Sequence, residues 1–232
     1  MAPIAETLWV VPWDGPEVRA LAAADRPAAV WSLETFAETL SAQRRPLRRV
    51  LDDVGVWLAV AASVDDGSVL DASAAERLGG LVDAVREARS ARVRASAVAR
   101  LAARVEGASR MRLQALAQAL QAYEGVLRRR GLADDSGRWD DARAVLAGSA
   151  SWPAPLEPFR RVTVTLHPPV APVTLEAFVA LAALGERTGR PVLIEVPSTG
   201  EATLDAATEP LFAAFEAHPE LSPLVVQREG PG

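Results

Sequence analysis

The sequence has no lysine, no cysteine and no asparagine, and all 25 of its basic residues are arginine. A phosphate-binding loop of the G-x-x-x-x-G-K-[ST] type needs its lysine against the β- and γ-phosphates, and a Schiff-base enzyme needs a side-chain amine, so both chemistries are excluded. The absence of cysteine excludes disulfides, cysteine nucleophiles and thiolate metal sites. The three missing residue types together indicate the codon usage of a GC-rich genome.

The composition also argues against metal and membrane sites. Only His167 and His218 could supply imidazole ligands, so a multi-histidine metal site is not expected, and neither is any other cofactor. No apolar run reaches the roughly 18 residues of a membrane-spanning helix, and the N-terminus lacks the basic segment of a secretory signal. We therefore expect a cytoplasmic protein without membrane contact. Residues 229–232 are typical of a position inside a longer chain.

The net charge of −5 conceals a separation of charge along the chain. Residues 86–130 hold 11 arginines and 3 acidic residues, for a net charge of +8. The segments on either side, 1–85 and 131–232, carry net charges of −6 and −7. A basic block between acidic flanks produces a local positive field, which favours partners that carry negative charge.

Strand–helix units open and close the sequence. Apolar and β-branched runs predict five short strands, at Leu8–Val11, Ala28–Trp31, Val162–Leu166, Pro191–Val196 and Leu224–Gln227. Helices are predicted over Glu17–Ala24, after Ser32, from an N-cap at Thr174 to a stop near Gly189, and from Pro210. Alternating strands and helices imply a parallel sheet, so the sequence predicts an α/β fold.

The middle of the chain, residues 44–148, has the pattern of a helical region throughout. Its clearest apolar stripe consists of Met111, Leu113, Leu116, Leu120, Tyr123 and Leu127. That helix is predicted to end at Arg128–Arg130 and Gly131, because cations suit the C-terminal end of a helix dipole and glycine suits a left-handed cap. The simplest architecture is a discontinuous parallel-sheet domain, residues 1–43 and 149–232, with an all-helical insertion at 44–148.

Four stretches of the sequence occur in an order that is found in a known protein family. Leu8–Pro12 is an early core strand with a proline stop, and Trp31–Leu40 leads from a strand into a helix. Tyr123–Asp134 fits the pattern Y-x-x-x-L-x-x-x-G-L-x-D, and Val162–Phe178 is a strand, loop and helix. Together they resemble the N-terminal part of AddB-type helicase–nuclease subunits, whose first region is a UvrD-like helicase module.

The resemblance implies a P-loop-NTPase-like core that has lost its ATPase. Catalytic members keep a lysine in the phosphate loop and acidic magnesium ligands after the strand near residue 166, where this chain has His167 and two prolines. A histidine cannot replace a carboxylate as a ligand of magnesium, which takes oxygen donors. The family's PD-(D/E)XK nuclease domain lies far downstream. The resemblance therefore implies a non-catalytic bacterial DNA-repair module that binds DNA or a partner motor subunit, without an ATPase or nuclease site in these residues.

The basic block supplies the candidate nucleic-acid-binding residues. They are Arg86, Arg89, Arg92, Arg94, Arg100, Arg104, Arg110, Arg112, Arg128, Arg129 and Arg130. Arginine forks suit phosphate oxygens, and contact with a duplex backbone is favoured over single-strand binding because Tyr123 is the one aromatic residue of the block. The same pattern is also typical of a solvated helix face.

Two other functions fit the sequence. A protein-interaction scaffold with no nucleic-acid contact would pair its arginines with the acidic flanks. An α/β enzyme would use His167, which follows a strand at the sheet edge where such folds bind ligands. The paired carboxylates Asp134–Asp135 and Asp140–Asp141 lie beside a turn and a helix start, where acidic residues ordinarily cap helices.

Overall fold

The chain folds around a parallel β-sheet. A computed structural model describes residues 6–12, 28–45, 51, 55–56, 60–61, 72–167, 169–196, 213 and 226–227. The strands are β1 (Thr7–Val11), β2 (Ala28–Ser32), β3 (Arg161–Thr165), β4 (Val192–Glu195) and β5 (Val226–Gln227). They lie in the order β2–β1–β3–β4–β5, and every neighbouring pair is parallel. The predicted α/β class is confirmed, and the strand order is one of the common orders of doubly wound sheets.

The helices divide between two compact parts of the chain. They are α1 (Leu33–Arg44), α2 (Ala72–Ser90), α3 (Ala95–Ala102), α4 (Gly107–Arg130), α5 (Asp135–Gly148) and α6 (Pro172–Thr188). Residues 1–46 and 139–232 form one compact unit, here called the sheet unit, and residues 47–138 form the other, the helical unit. The sheet unit resumes at Trp139, before the predicted boundary at residue 149, because Trp139, Ala142 and Leu146 of α5 belong to its core.

Alternate residues of the strands lie on the face of the sheet that packs into the core of the sheet unit. Leu8 lies beside Val162 and Val10 lies beside Val164, which in turn neighbours Ile194. All five side chains are fully buried and belong to one cluster with apolar residues of α1, α5 and α6. This period of two arises because successive side chains of a strand point to opposite faces of the sheet.

An aromatic cluster joins the three helices of the sheet unit. Phe36 of α1 stacks on Phe178 of α6 with the ring centroids 5.5 Å apart. Trp139 of α5 meets the Phe178 ring edge-on at 5.5 Å and lies 6.4 Å from the Phe36 ring. The three rings are buried, so they combine large apolar area with favourable ring-pair geometry. The cluster therefore fixes how these helices pack on one another.

The helix ends follow local rules, with one correction. Ser32 caps α1 by accepting a hydrogen bond from the backbone N–H three residues later, at 3.0 Å. Gly131 and Gly189 end α4 and α6 in the left-handed region, with φ of 63° and 66°, as predicted. The predicted N-cap at Thr174 is wrong, because α6 already begins at Pro172. Proline has a fixed φ and no N–H, which suits the first position of a helix.

The core of the helical unit forms mainly between α2 and α4. Val82 and Val85 of α2 belong to one buried cluster with Leu120 and Tyr123 of α4. The prediction that Met111 shares this apolar stripe is wrong, since its side chain is 66 % exposed. Met111 precedes the buried Leu120 by nine positions, which places the two side chains about 180° apart around the helix, so Met111 faces away from the core.

One backbone hydrogen bond joins the beginning and the end of the helical unit. The N–H of Leu51 donates to the carbonyl of Ala133 at 2.7 Å. These residues lie near the beginning and the end of the unit, respectively. The chain therefore enters and leaves this unit at neighbouring points.

Some predicted features lie outside the described residues. They are the helix over Glu17–Ala24, the helix from Pro210 and the environment of His218. The last predicted strand, Leu224–Gln227, is described at Val226–Gln227, where it pairs with β4.

Candidate nucleic-acid interface

Two helices form a hairpin that carries most of the basic block. Helices α3 and α4 pack against each other and are joined by residues 103–106. Helix α3 buries Val98 and Ala102, which lie one turn apart on the same face. Gly107 opens α4 with a φ of 62°, in the left-handed region that glycine adopts without steric cost. This short reversal produces a unit of residues 94–130, here called the basic hairpin.

Eight of the eleven predicted arginines are exposed on the basic hairpin. They are Arg94, Arg100, Arg104, Arg110, Arg112, Arg128, Arg129 and Arg130. Within the described part of the chain, no carboxylate forms an ion pair with any of these eight. Because a guanidinium stays protonated at physiological pH, the hairpin presents a permanent positive surface to an external anion.

The other three predicted arginines are less accessible. Arg86 is half-buried and lies 4.0 Å from the carboxylate of Asp83. Arg92 is half-buried in the turn before α3, with a left-handed φ of 62°. Arg89 is 16 % exposed at its side chain and is held by carboxylates of its own unit. The interface considered below therefore leaves these three residues out.

The guanidinium of Arg89 is bound by two carboxylates of the helical unit. Its Nε and Nη2 donate to the two carboxylate oxygens of Asp134, with 3.0 Å between Nη2 and Oδ1. Its Nη1 donates to Glu124 at 3.3 Å, and the guanidinium lies 5.9 Å from the ring centre of Tyr123. Burial opposes the charged form, but the hydrogen bonds and charge of Asp134 outweigh it, so the pKa of Arg89 is raised. The Arg89 guanidinium is therefore engaged by carboxylates of its own unit.

Asp134 links three helices of the chain. It accepts a hydrogen bond from the backbone N–H of Gly137 at 2.8 Å, which satisfies a free donor in the first turn of α5. The hydroxyl of Tyr123 in α4 also donates to it, at 3.4 Å, while Arg89 reaches it from α2. The predicted capping role of Asp134 is confirmed, and the buried network of Asp134, Arg89 and Tyr123 is an addition that the sequence did not reveal.

We expect Tyr123 to ionise only at unusually high pH. Burial and the negative charge of Asp134 raise the pKa of Tyr123 above the ordinary value of about 10. It is the only tyrosine of the chain, and the sequence has no cysteine whose thiolate would also absorb. The ultraviolet absorbance of tyrosinate therefore reports the ionisation of this residue alone. The folded protein should show little tyrosinate at about pH 11, whereas the denatured chain should titrate near pH 10.

The same shift makes stability depend on pH in the alkaline range. Above about pH 10 the unfolded chain releases the phenolic proton while the folded state keeps it. The contribution of Tyr123 to the free energy of unfolding is therefore complete below that pH and is lost as the pH rises towards the folded pKa. The control variant Tyr123→Phe should not show this decline. Identical tyrosinate titrations of the folded and denatured protein would contradict the buried position of the phenol.

A polar groove lies between α3 and α4, with a volume of about 760 Å³. Its lining consists of Arg94, which immediately precedes α3, Ser96 of α3, small alanine side chains, and Gln114, Gln118, Gln121 and Glu124 of α4. The chain has five glutamines, and three of them stand here. The spacing of these glutamines, i, i+4 and i+7 beside the apolar stripe, is the signal that could have revealed the groove from the sequence. The groove offers amide donors and acceptors beside one exposed arginine, Arg94, and one carboxylate, Glu124.

The remaining candidates are placed in the sheet unit. His167 is exposed and directly follows the last buried residue after β3, at the edge where parallel strands end. Asp141 is buried and its carboxylate lies 3.3 Å from Arg44 and 3.7 Å from Arg45, so it has a structural role. Over the described ranges, no group of three or more histidine, aspartate or glutamate side chains could hold a metal ion. None of the described helices has the length and apolar character needed to cross a membrane.

Comparisons with known proteins do not assign the chain to a family. No protein-family model matches the sequence, and no curated protein matches it. The resemblance to AddB-type subunits therefore depends on the quoted segments alone. The geometry and charge of the basic hairpin provide the physical basis for the function considered next.

Proposed function

We propose that the helical unit binds the backbone of duplex DNA through the basic hairpin. The proposal is carried by one observation, the eight exposed arginines that form no ion pair with a carboxylate among the described residues. Each arginine that reaches a phosphate releases counterions from the DNA, and its planar fork can contact two phosphate oxygens. Binding of this kind depends on charge and shape and is largely independent of sequence.

The composition of the hairpin favours a duplex over a single strand. Proteins that hold single strands stack successive bases on exposed aromatic rings. Tyr123 is the only aromatic residue between positions 58 and 138, and its side chain is fully buried. No aromatic ring of this segment is therefore available for stacking, whereas contact with a duplex backbone needs only the arginines.

The wider role that we propose is that of a non-catalytic helicase-like module in a DNA double-strand-break repair helicase–nuclease. The all-parallel sheet suits a P-loop-NTPase-like core, and the absence of lysine suits one that no longer hydrolyses nucleotide. In such a protein the helical unit would be an insertion that contacts DNA. A helicase or nuclease partner subunit is then a second expected partner.

The alternative is a protein-interaction scaffold whose arginines pair with the acidic flanks. Arg89 shows such pairing with Asp134, which lies in the C-terminal acidic flank. Among the residues that the structure describes, however, the eight exposed arginines of the hairpin do not pair in this way. Their unneutralised charge is the reason to prefer a polyanionic partner.

The salt dependence of DNA binding tests the proposal. The affinity for a labelled duplex, measured by fluorescence anisotropy, should fall steeply between about 50 and 200 mM salt. In the variant Arg104→Gln/Arg110→Gln, the slope of log affinity against log salt concentration should fall in magnitude by about 2, because two phosphate contacts are lost. The loss should be the same for duplexes of different sequence.

A matched control separates local contact from net charge. The variant Arg160→Gln/Arg187→Gln removes two exposed arginines of the sheet unit and changes the net charge by the same amount. Its salt slope should equal that of the unmodified protein. Binding that is absent at low salt, binding that is insensitive to salt, or an equal loss in both variants would contradict contact through the hairpin.

A further inference from the structure

The connecting end of the basic hairpin exposes two large apolar side chains. Leu101 is 50 % exposed and lies one residue before the end of α3, and Met111 is 66 % exposed in the second turn of α4. Because a helix rises about 1.5 Å per residue, both lie within roughly 6 Å of the connection along their helix axes. Val93, before the start of α3, is the third large apolar residue that is exposed among those described.

The segment that carries these two side chains is rich in positive charge. The segment 100–112 contains four arginines and one acidic residue, Glu106, for a net charge of +3. All four arginines are exposed, namely Arg100, Arg104, Arg110 and Arg112. A partner that covers Leu101 and Met111 must therefore combine an apolar surface with a dense negative charge. A nucleic acid has both, in the faces of its bases and in its phosphates.

We infer that the connecting end of the basic hairpin is a wedge that enters DNA at a step where base stacking is already broken, such as a bulge or a mismatch. The inference rests on the proposed binding of duplex DNA and specifies the preferred substrate. Leucine and methionine are among the side chains that DNA-binding proteins insert between base steps. The arginines hold the phosphates beside the step, and Leu101 and Met111 contact the exposed base faces.

The preference follows from the cost of unstacking. A continuous duplex must lose stacking at one step before an apolar side chain can enter, and this cost weakens binding. A bulged or mismatched duplex has already lost that stacking, so the same contacts give a higher affinity. A membrane surface with acidic lipids has a similar combination of negative charge and apolar interior, so it is the competing partner that the experiment must distinguish.

The experiment compares two DNA substrates with the full chain. A continuous duplex and the same duplex with a central two-nucleotide bulge are titrated by fluorescence anisotropy at a fixed salt concentration. We expect the bulged duplex to bind about tenfold more tightly. A fluorescent adenine analogue beside the bulge should brighten on binding, because the wedge separates it from its stacking neighbour.

The variant Leu101→Ala/Met111→Ala tests the two side chains directly. It should bind both duplexes with affinities within about twofold of each other and of the unmodified protein's affinity for the continuous duplex, because the arginines remain. Val93→Ala is the matched control, since it removes the third exposed apolar side chain and should keep the preference for the bulge. All three residues are exposed, and unchanged circular dichroism of the variants confirms that they fold.

The outcomes separate this inference from the proposed function. Equal affinity of the unmodified protein for the two duplexes would overturn the wedge and leave backbone binding intact. No binding to either duplex would overturn both. If vesicles of phosphatidylcholine and phosphatidylserine bind the protein, if the double variant abolishes that binding, and if no preference for the bulge exists, the end of the hairpin contacts acidic lipid and the inference is wrong.

Discussion

Replacing Asp134 with alanine should lower the free energy of unfolding of the helical unit by about 3–5 kcal/mol. The Asp134 side chain is 9 % exposed, and it accepts hydrogen bonds from Arg89, Tyr123 and the backbone of Gly137. Its removal leaves the Arg89 guanidinium largely buried without its main counter-ion and also leaves the start of α5 without its cap. A buried charge that has lost its partner costs more than the pair contributed, which makes this effect large.

The measurement is urea denaturation followed by far-ultraviolet circular dichroism, with Asp83→Ala as the matched control. Asp83 belongs to the same unit and also faces an arginine, Arg86, but its side chain is 79 % exposed and the pair is 4.0 Å apart. The control should therefore cost less than about 1 kcal/mol. If the two variants were destabilised equally, the buried network would contribute no more than a surface ion pair.

The second large effect is expected in the sheet unit, from Phe36→Ala. Phe36 is fully buried between the Phe178 and Trp139 rings, so truncation removes apolar area and leaves a cavity where three helices meet. We expect a loss of about 3–5 kcal/mol. Since natural domains have roughly 5–15 kcal/mol of stability in total, the variant should unfold at a much lower urea concentration.

Phe36→Leu provides the control for this second variant. Leucine keeps most of the buried volume, so the cost should stay below about 1.5 kcal/mol when the core repacks. Tryptophan fluorescence follows the transition, because Trp139 lies in the same cluster. A cost for Phe36→Ala similar to that of the leucine variant would mean that the cavity collapses and that the ring cluster does not define the packing.

The parts of the fold that the sequence predicted are those with local causes. The strands β1 and β3 were recognisable because short β-branched and apolar runs end at proline or at a turn. The C-terminal ends of α4 and α6 were recognisable because only glycine adopts the left-handed cap without strain. The Thr174 error shows the limit of such rules, since a favourable proline two residues earlier started the helix first.

The parts that were missed depend on contacts between distant residues. Arg89 and Asp134 are 45 positions apart, and nothing in either local sequence shows that their helices meet. Eight of the eleven candidate arginines are exposed. The charge pattern of the sequence did not distinguish these exposed arginines from Arg89, which is largely buried and paired with carboxylates. The prediction for Met111 was wrong for another reason. Met111 is apolar and close in sequence to the buried residues of α4, but its angular position around the helix places it on the exposed side.

The hydrogen bond between Leu51 and Ala133 has an evolutionary consequence. When the two ends of a compact unit lie next to each other, the whole unit can be inserted or deleted in one step, because a short connection is enough to rejoin the rest of the chain. Such a change would leave the strands of the sheet unit in place, because they belong to the other compact unit of the chain. We therefore expect natural relatives that have the strands of the sheet unit but a helical unit of different length, or none.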